Sequence, residues 1–573
     1  MTTDETQAKP DRTPPAVPAR RLSILGDSAT QFLAKALAAK GREENLPLTI
    51  FDADFDQLNS QILDSDSELY HSQPEFVLLY LSVERLWERF AASPLAARSG
   101  FAQHTLAEIR NWWQQLARNS KARIIHCNFI ELNDAVFGHF GLKTVSSFPY
   151  QVKLLNLELM RLAGEEKNVF LLDLAGLTGQ VGYQQAHDPR LFVTAKLTLA
   201  LDFLPTVAGA VLEIIKAISG SFRKCLILDL DNTLWGGIIG DDGLENIQLG
   251  DLGMGHAFDA LQAWARELKH RGIILCVVSK NDEDKAKRPF VDHPDMLLRL
   301  EDIAVFVANW ENKADNIRYI QQVLNIGFDA MVFVDDNPFE RNLVRQFLPA
   351  VTVPELPEDP ALYAGYLRAL NLFETASFSE EDLQRTRQYQ EELARTNAQK
   401  SHTSIADYLR SLDMCAEVGP FDDFCTPRVA QLTQRSNQFN LRTVRYTEAE
   451  VDALRRRDDH VTLAFHLQDK FGDHGLIAVI ILRREGGDAA FLDTWIMSCR
   501  VLKRGMEEFT LNQIVGRCRA LGITRLVGEY LPTPKNGLVK NLLADMGFTN
   551  RDGRWELSLD DFAVRDSFIQ VKE

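Results

Sequence analysis

Three short apolar runs in the middle of the chain each stop at a polar cluster, and that pattern limits the folds open to it. Cys225-Leu226-Ile227-Leu228 runs into Asp229-Leu230-Asp231-Asn232-Thr233. Ile273-Ile274-Leu275-Cys276-Val277-Val278 runs into Ser279-Lys280-Asn281, and Met331-Val332-Phe333-Val334 into Asp335-Asp336-Asn337-Pro338. Such runs read as buried strands of a parallel sheet. Ligands of open α/β sheets bind beyond the carboxyl ends of the strands. Charge at that position is costly unless a metal, a cation or hydrogen bonds compensate it. The three polar clusters therefore read as parts of one site.

The rest of the chain alternates strand and helix patterns, so the expected class is α/β with several domains. Residues 1–20, with Pro10, Pro14, Pro15 and Pro18, read as a disordered tail. A first α/β domain is expected over 21–220, with strands at Leu22–Leu25, Pro74–Tyr80, Ala122–Cys127 and Asn168–Asp173. The second covers 221–355. A helical connector over 356–415 follows, with an N-cap at Ser379-Glu380-Glu381-Asp382. The last α/β domain spans 416–573. Its strands are expected near 461–467, 475–482, 489–497 and 525–530, and its helices over 505–521 and 536–546.

A net charge of −17 speaks against a general nucleic-acid or anionic-membrane surface. No apolar run approaches the ~18 residues of a membrane span, and the first residues lack the apolar core of a signal peptide. The seven cysteines are scattered without C-x-x-C spacing, which fits a reducing cytoplasm. No nucleic acid and no membrane is expected as a partner.

Asp229-x-Asp231, Ser279, Lys313 and Asp335-Asp336 resemble the four motifs of the haloacid dehalogenase (HAD) superfamily of phosphotransferases. The residue types suit the chemistry. The Asp229 carboxylate can attack phosphorus and form an aspartyl-phosphate. Asp231 can protonate the leaving oxygen and later take a proton from water. Ser279 can hydrogen-bond a phosphoryl oxygen, and Lys313 adds positive charge where the transition state spreads negative charge. The resemblance implies Mg2+ on the Asp229 carboxylate, the Asp231 backbone carbonyl and Asp336, with Asp335 behind them or partnering Lys313. Asn281, Asn232 and Thr233 are weaker candidates for shaping the loop. The short gap after Thr233 leaves no room for a large inserted cap, so a capless HAD Rossmannoid domain is expected.

The match goes further. Asp229–Gly237, His293-Pro294-Asp295-Met296, Ala308-Asn309-Trp310 and Val334–Arg341 together resemble the FkbH-like proteins of polyketide biosynthesis. The likeness continues through Gln431–Asn440, Phe471-Gly472-Asp473-His474-Gly475 and Met497–Leu502. It implies removal of phosphate from 1,3-bisphosphoglycerate and loading of the glyceryl unit as a thioester onto a phosphopantetheinylated acyl carrier protein. Cys499, flanked by Arg500, Lys503 and Arg504, is the candidate acyl acceptor, because neighbouring cations raise the thiolate fraction. His474 is a candidate base.

Two outer domains carry weaker resemblances. Arg500-x-x-x-Arg504-Gly505 before a helix is similar to the GNAT acyltransferase loop that holds the CoA pyrophosphate, and Asn536 resembles part of a later GNAT element. Arg500, Lys503, Arg504, Gly505 and Asn536 are thus the candidate pantetheine-binding residues of a GNAT-like domain. Gly26-Asp27-Ser28 resembles the first block of SGNH hydrolases, with Asn128 as a possible oxyanion residue but no closing Asp-x-x-His block. An SGNH-like three-layer domain used for binding or scaffolding is the expectation. Two alternatives remain at this point. One is a HAD phosphatase of another substrate joined to a CoA-dependent acyltransferase. The other is a non-catalytic carrier-protein scaffold.

Overall fold

The structure, a computed structural model, describes residues 18–378, 404–498 and 504–572, together with residues 387, 390, 391, 395, 501 and 502. The chain divides into two compact units, Met1–Ile215 and Lys216–Glu573.

The first unit holds a five-stranded parallel sheet: β1 (Arg20–Gly26), β2 (Leu48–Asp52), β3 (Phe76–Tyr80), β4 (Arg123–Cys127) and β5 (Val169–Leu172). Its order is β2-β1-β3-β4-β5. The central strand β3 is buried along its whole length, so its sequence is an unbroken apolar run. β2 lies at the edge and is only half-buried. It therefore lacks such a run, and sequence reading passed over it.

The second unit holds two sheets. One has four parallel strands, β6 (Cys225–Leu228), β7 (Ile274–Ser279), β8 (Ile303–Ala308) and β9 (Met331–Val334), in the order β8-β7-β6-β9. Alternate residues of these strands feed two cores. Leu226, Leu228, Val277 and Val332 face one. Cys225, Ile227, Cys276 and Phe333 face the other. This two-sided burial is why the runs are apolar without alternation. Residues from the expected connector, Tyr363, Leu367 and Phe373, pack into the first of these cores. Ser379–Asp382 lie outside the described residues.

The other sheet has eight strands: β10 (Cys415–Gly419), β11 (His460–Asp469), β12 (Gly472–Glu485), β13 (Ala489–Met497), β14 (Arg525–Gly528), β15 (Thr549–Arg551), β16 (Arg554–Ser558) and β17 (Gln570–Val571). The run β10 to β13 is antiparallel. β13 and β14 pair in parallel over only three residues, from Ala489 with Arg525 to Phe491 with Val527. Beyond that point the segment around Asn440 bridges them. Met497 N–H donates to Phe439 O at 3.2 Å, and Leu531 N–H to Leu441 O at 2.9 Å. The helix expected over 536–546 forms as two short pieces, Gly537–Val539 and Leu542–Asp545. Asn536 stands at the N-cap of the first piece, and its side chain donates to Asn440 O and Leu531 O.

Candidate active site

The order of the four-stranded sheet brings the polar clusters together. β6 lies between β7 and β9, so Asp229, Ser279 and Asp335 end or follow neighbouring strands. β8, which the sequence reading did not mark as a strand, leads to Asn309 and the helix Lys313–Leu324. Asn312 caps that helix by accepting from Ala314 N–H at 2.8 Å, which sets Lys313 on its first turn.

Lys313 is buried and reaches both strand ends. Its Nζ stands 2.8 Å from Asp229 Oδ1 and 2.6 Å from Asp335 Oδ2. Burial works against its charge, but Asp229 and Asp335 outweigh this and hold its pKa above the ordinary lysine value. Asp335 is fixed further by Asn337 N–H, which donates to its Oδ1 at 2.8 Å. Asp336 Oδ1 accepts from Thr233 Oγ1 at 3.2 Å. One cation thus faces three carboxylates. Burial, then the charge of Asp229, raise the pKa of both Asp335 and Asp336.

Ligand oxygens of Asp229, Asp335 and Asp336 lie within 4.8 Å of one another. Hard carboxylate oxygens in an electronegative cluster fit a small divalent cation. Lys313 engages both Asp229 and Asp335, and Asp336 lies outside that ion pair.

Asp231 is held apart from this cluster by three donors. Trp235 Nε1 donates to its Oδ1 at 2.9 Å, Ile239 N–H to the same oxygen at 3.0 Å, and Asn281 Nδ2 to Oδ2 at 2.7 Å. Burial raises its pKa above the ordinary aspartate value, and the three donors work against that shift. The loop that carries it turns tightly. Asn232 and Gly237 take left-handed φ values of 55° and 94°, and Asn232 Oδ1 accepts from Gly237 N–H at 2.9 Å.

Two supporting residues were not assigned roles from sequence. Trp235 is fully buried, and its place four residues after Asp231 is the signal that could have marked it. Arg341 is buried, and its Nη1 donates to the carbonyls of Asp335 at 2.9 Å and Asp336 at 2.6 Å. It pins the backbone that carries both acids. Ser279 is buried at the end of β7, where its backbone oxygen accepts from Asn309 N–H at 3.2 Å. The arrangement is that of a HAD-type phosphatase domain.

Residues 21–216 match the family model described as the N-terminal domain of FkbH. The N-terminal part of a Bacteroides fragilis protein containing a phosphatase domain, solved in complex with Mg, is 48% identical. That likeness covers 63% of this chain and 96% of the other, with a TM-score of 0.61. The chain belongs to the FkbH-like family. The GNAT domain of an S. lividans protein is 22% identical and covers 25% of this FkbH-like chain and 89% of its own, with a TM-score of 0.21. An Escherichia coli ribosomal-protein-S18-alanine N-acetyltransferase is 16% identical over 25% and 88%, with a TM-score of 0.19. Neither of these two likenesses bears on the chemistry. No curated protein matches the chain.

The C-terminal domain of the FkbH-like chain changes several expectations. Cys499, Arg500 and Lys503 lie outside the described residues. Arg504 is no docking cation: it is buried, with Nη1 3.9 Å from Asp469 Oδ2. Asp469 also takes Arg395 Nε at 2.6 Å and His474 Nε2 at 3.0 Å. Despite burial, the bonds from His474 and Arg395 hold the Asp469 carboxyl well below its ordinary pKa. Burial lowers the pKa of His474. Both His474 and Arg504 thus belong to a buried ionic cluster rather than to a solvent-facing site.

Asn536 is likewise not a pantetheine residue. It is fully buried, and its Nδ2 donates to Asn440 O at 3.0 Å and Leu531 O at 2.9 Å. Its Oδ1 accepts from Thr533 N–H at 2.7 Å. Its hydrogen-bonding capacity is spent on the segment that bridges β13 and β14. Gly505, at φ 78°, does open the helix Met506–Ala520 as expected. However, Glu507 and Glu508 occupy the first turn, so the positive end of that helix already faces two acids. This disfavours a CoA pyrophosphate there.

In the first unit, Ser28 is fully buried and its Oγ has no hydrogen-bond partner among the described residues. Asn128 is used locally, with Nδ2 donating to Asp173 Oδ1 at 2.7 Å and Oδ1 accepting from Ala175 N–H at 2.9 Å. Neither side chain is presented as a hydrolase would need it. Cys225 and Cys276 are buried free thiols with sulfurs 3.7 Å apart, and Cys127, Cys425 and Cys518 are also buried. Among the described residues, no helix is long and apolar enough to cross a membrane.

Proposed function

We propose that this FkbH-like protein is a Mg2+-dependent phosphatase and glyceryltransferase. In this reading a thiol attacks the C1 acyl phosphate of 1,3-bisphosphoglycerate, phosphate leaves and the glyceryl unit passes as a thioester to a phosphopantetheinylated acyl carrier protein, while the phosphatase site cleaves the 3-phosphate ester. The observation that carries the phosphatase half is Lys313 bridging Asp229 and Asp335, with Asp336 beside them. The Mg complex of the Bacteroides fragilis relative supports the choice of metal.

Asp229 and Asp336 are the residues to hold Mg2+, which would supply positive charge to the phosphoryl oxygens. Asp229 attacks phosphorus through its carboxylate. The P–O bond to the substrate breaks, and Asp231 gives its proton to the leaving oxygen. Lys313 and the Ser279 hydroxyl receive the negative charge of the phosphoryl oxygens. Asp231, now ionised and still held by Trp235, Ile239 and Asn281, takes a proton from water. That water attacks phosphorus and frees Asp229.

The loading half rests on family resemblance and on Cys499 as acyl acceptor. The buried free thiols fit a reducing compartment, and we read the protein as cytoplasmic. Incubation with 1,3-bisphosphoglycerate, Mg2+ and a pantetheinylated carrier protein tests the reading by mass spectrometry. A glyceryl adduct on the carrier supports it. Phosphate release without an adduct leaves only the phosphatase.

A further inference from the structure

Two stretches that carry the family likeness, Gln431–Asn440 and Met497–Leu502, take no part in the phosphatase site. They meet at a cavity of about 340 Å3. Gln431, Ser436, Asn437 and Phe439 line it from the first stretch, and Met497 and Ser498 from the second. Ser498 immediately precedes Cys499 in the chain.

The facing wall comes from the amino ends of the four-stranded sheet. Lys224 precedes β6, Ile274 opens β7 and Ala330 precedes β9, and all three line the cavity. The phosphatase residues follow the carboxyl ends of the same strands. Lys224 and Asp229 are five residues apart along extended chain, about 16 Å. The cavity and the phosphatase site are therefore distinct.

Its polar lining favours an anion. Among the described residues, the lining holds the cations Lys224, Arg428 and Lys535 and one acid, Asp329, in a protein whose net charge is −17. Asp329 is ion-paired to Lys535. The wall is also preformed. Arg445 Nη1 donates to Thr433 O at 2.7 Å, and Asn437 Nδ2 to Gly220 O at 3.2 Å, which fixes the loop that carries Ser436 and Gln438. A cavity of this volume with convergent polar groups is of small-ligand size.

We propose that this cavity is a second ligand site, which holds a phosphate ester during acyl transfer. The chemistry fits two sources, the phosphopantetheine arm of the carrier and the phosphoglyceryl group of the donor. The proposal rests on the loading half of the proposed function.

Calorimetric titration of the full chain in EDTA tests it with four probes: phosphopantetheine, pantetheine, glycerate 3-phosphate and inorganic phosphate. Amide exchange locates the binding. Saturable binding of a phosphate ester, with protection at residues 431–439 and 325–330, supports the site. Tighter binding of phosphopantetheine assigns the carrier arm, and tighter binding of glycerate 3-phosphate assigns the donor. Arg428→Met should weaken binding about tenfold, as loss of one charge-assisted hydrogen bond does. Lys535→Gln, at a more exposed position, should act in the same direction if Arg428→Met does not fold. Protection confined to 229–237, binding of neither phosphate ester more tightly than pantetheine, or binding unchanged in both variants overturns the site. Carrier loading is scored separately. A wild-type protein that binds the ester in this cavity but forms no carrier adduct removes the loading reading and leaves the cavity site standing.

Discussion

Lys313 Nζ lies 2.8 Å from Asp229 Oδ1 and 2.6 Å from Asp335 Oδ2, and thereby ties the strand end that carries Asp229 to the strand end that carries the acid pair. Lys313→Met removes the one cation from a buried carboxylate pair. Loss of one partner of such a pair costs about 3–5 kcal/mol. Thermal unfolding in EDTA should show a loss of that order, and Mg2+ should restore part of it. An unchanged melting temperature would mean that the ion pair does not hold the site together.

Asp229→Asn leaves a side chain of the same shape that cannot attack phosphorus. Release of the 3-phosphate should fall by at least about a thousandfold, since removing a covalent nucleophile removes the whole route. EDTA should abolish the wild-type activity and added Mg2+ should restore it. Persistent release from the Asn variant would take the nucleophile assignment away from Asp229.

Trp235 touches the reaction only through Asp231. Trp235→Phe deletes one of three donors to that carboxylate and keeps the ring in the core. One hydrogen bond of this kind is worth about 1 kcal/mol, so kcat should drop about fivefold with KM little changed. An effect on KM alone would make Trp235 a packing residue only.

Asp27 and Glu84 in the first unit are both pushed up to about 7 by burial. His187 Nδ1 lies 3.1 Å from Glu84 Oε1. A buried acid with a raised pKa keeps its proton in the folded protein where the unfolded chain has released it. Stability should therefore fall as pH rises from about 4 to about 7, and level off above. The effect is on the order of 3 kcal/mol for each group, before solvent screening reduces it. Melting followed by the fluorescence of Trp112 and Trp113 should show this slope, and Asp27→Asn with Glu84→Gln should flatten it. A slope unchanged in the double variant places the titration elsewhere.

Cys499→Ala should stop transfer of the glyceryl unit to the carrier and leave release of the 3-phosphate intact. The two are read side by side, carrier mass for loading and free phosphate for hydrolysis. Loading at the wild-type rate would rule out Cys499 as the acyl relay.

The candidate site was legible in the sequence because each of its parts is local. Asp229, Ser279 and Asp335 each end an apolar run, and Lys313 opens a helix after Asn312, so strand ends and caps mark them. β2 carries little of the apolar signal of a central strand because it lies half-buried at its sheet edge, whereas β8, also at an edge, is a largely buried apolar run that the sequence displays as plainly as β6. Arg504 and Asn536 were misread for a different reason. Both sit in plausible local patterns, but their partners, Asp469 and Asn440, lie 35 and 96 residues away.

The sequence alone determined the α/β class and the polar clusters at the ends of buried strands, which follow from local periodicity and from the cost of placing charge there. The phosphoryl chemistry came from the resemblance of those clusters to the HAD motifs. Only the tertiary structure decided how the carboxylates share Lys313, which polar groups of the C-terminal domain are already satisfied, and where Gln431–Asn440 meets Met497–Ser498. Those outcomes depend on contacts between distant segments, and no local pattern encodes which buried polar group will find which partner.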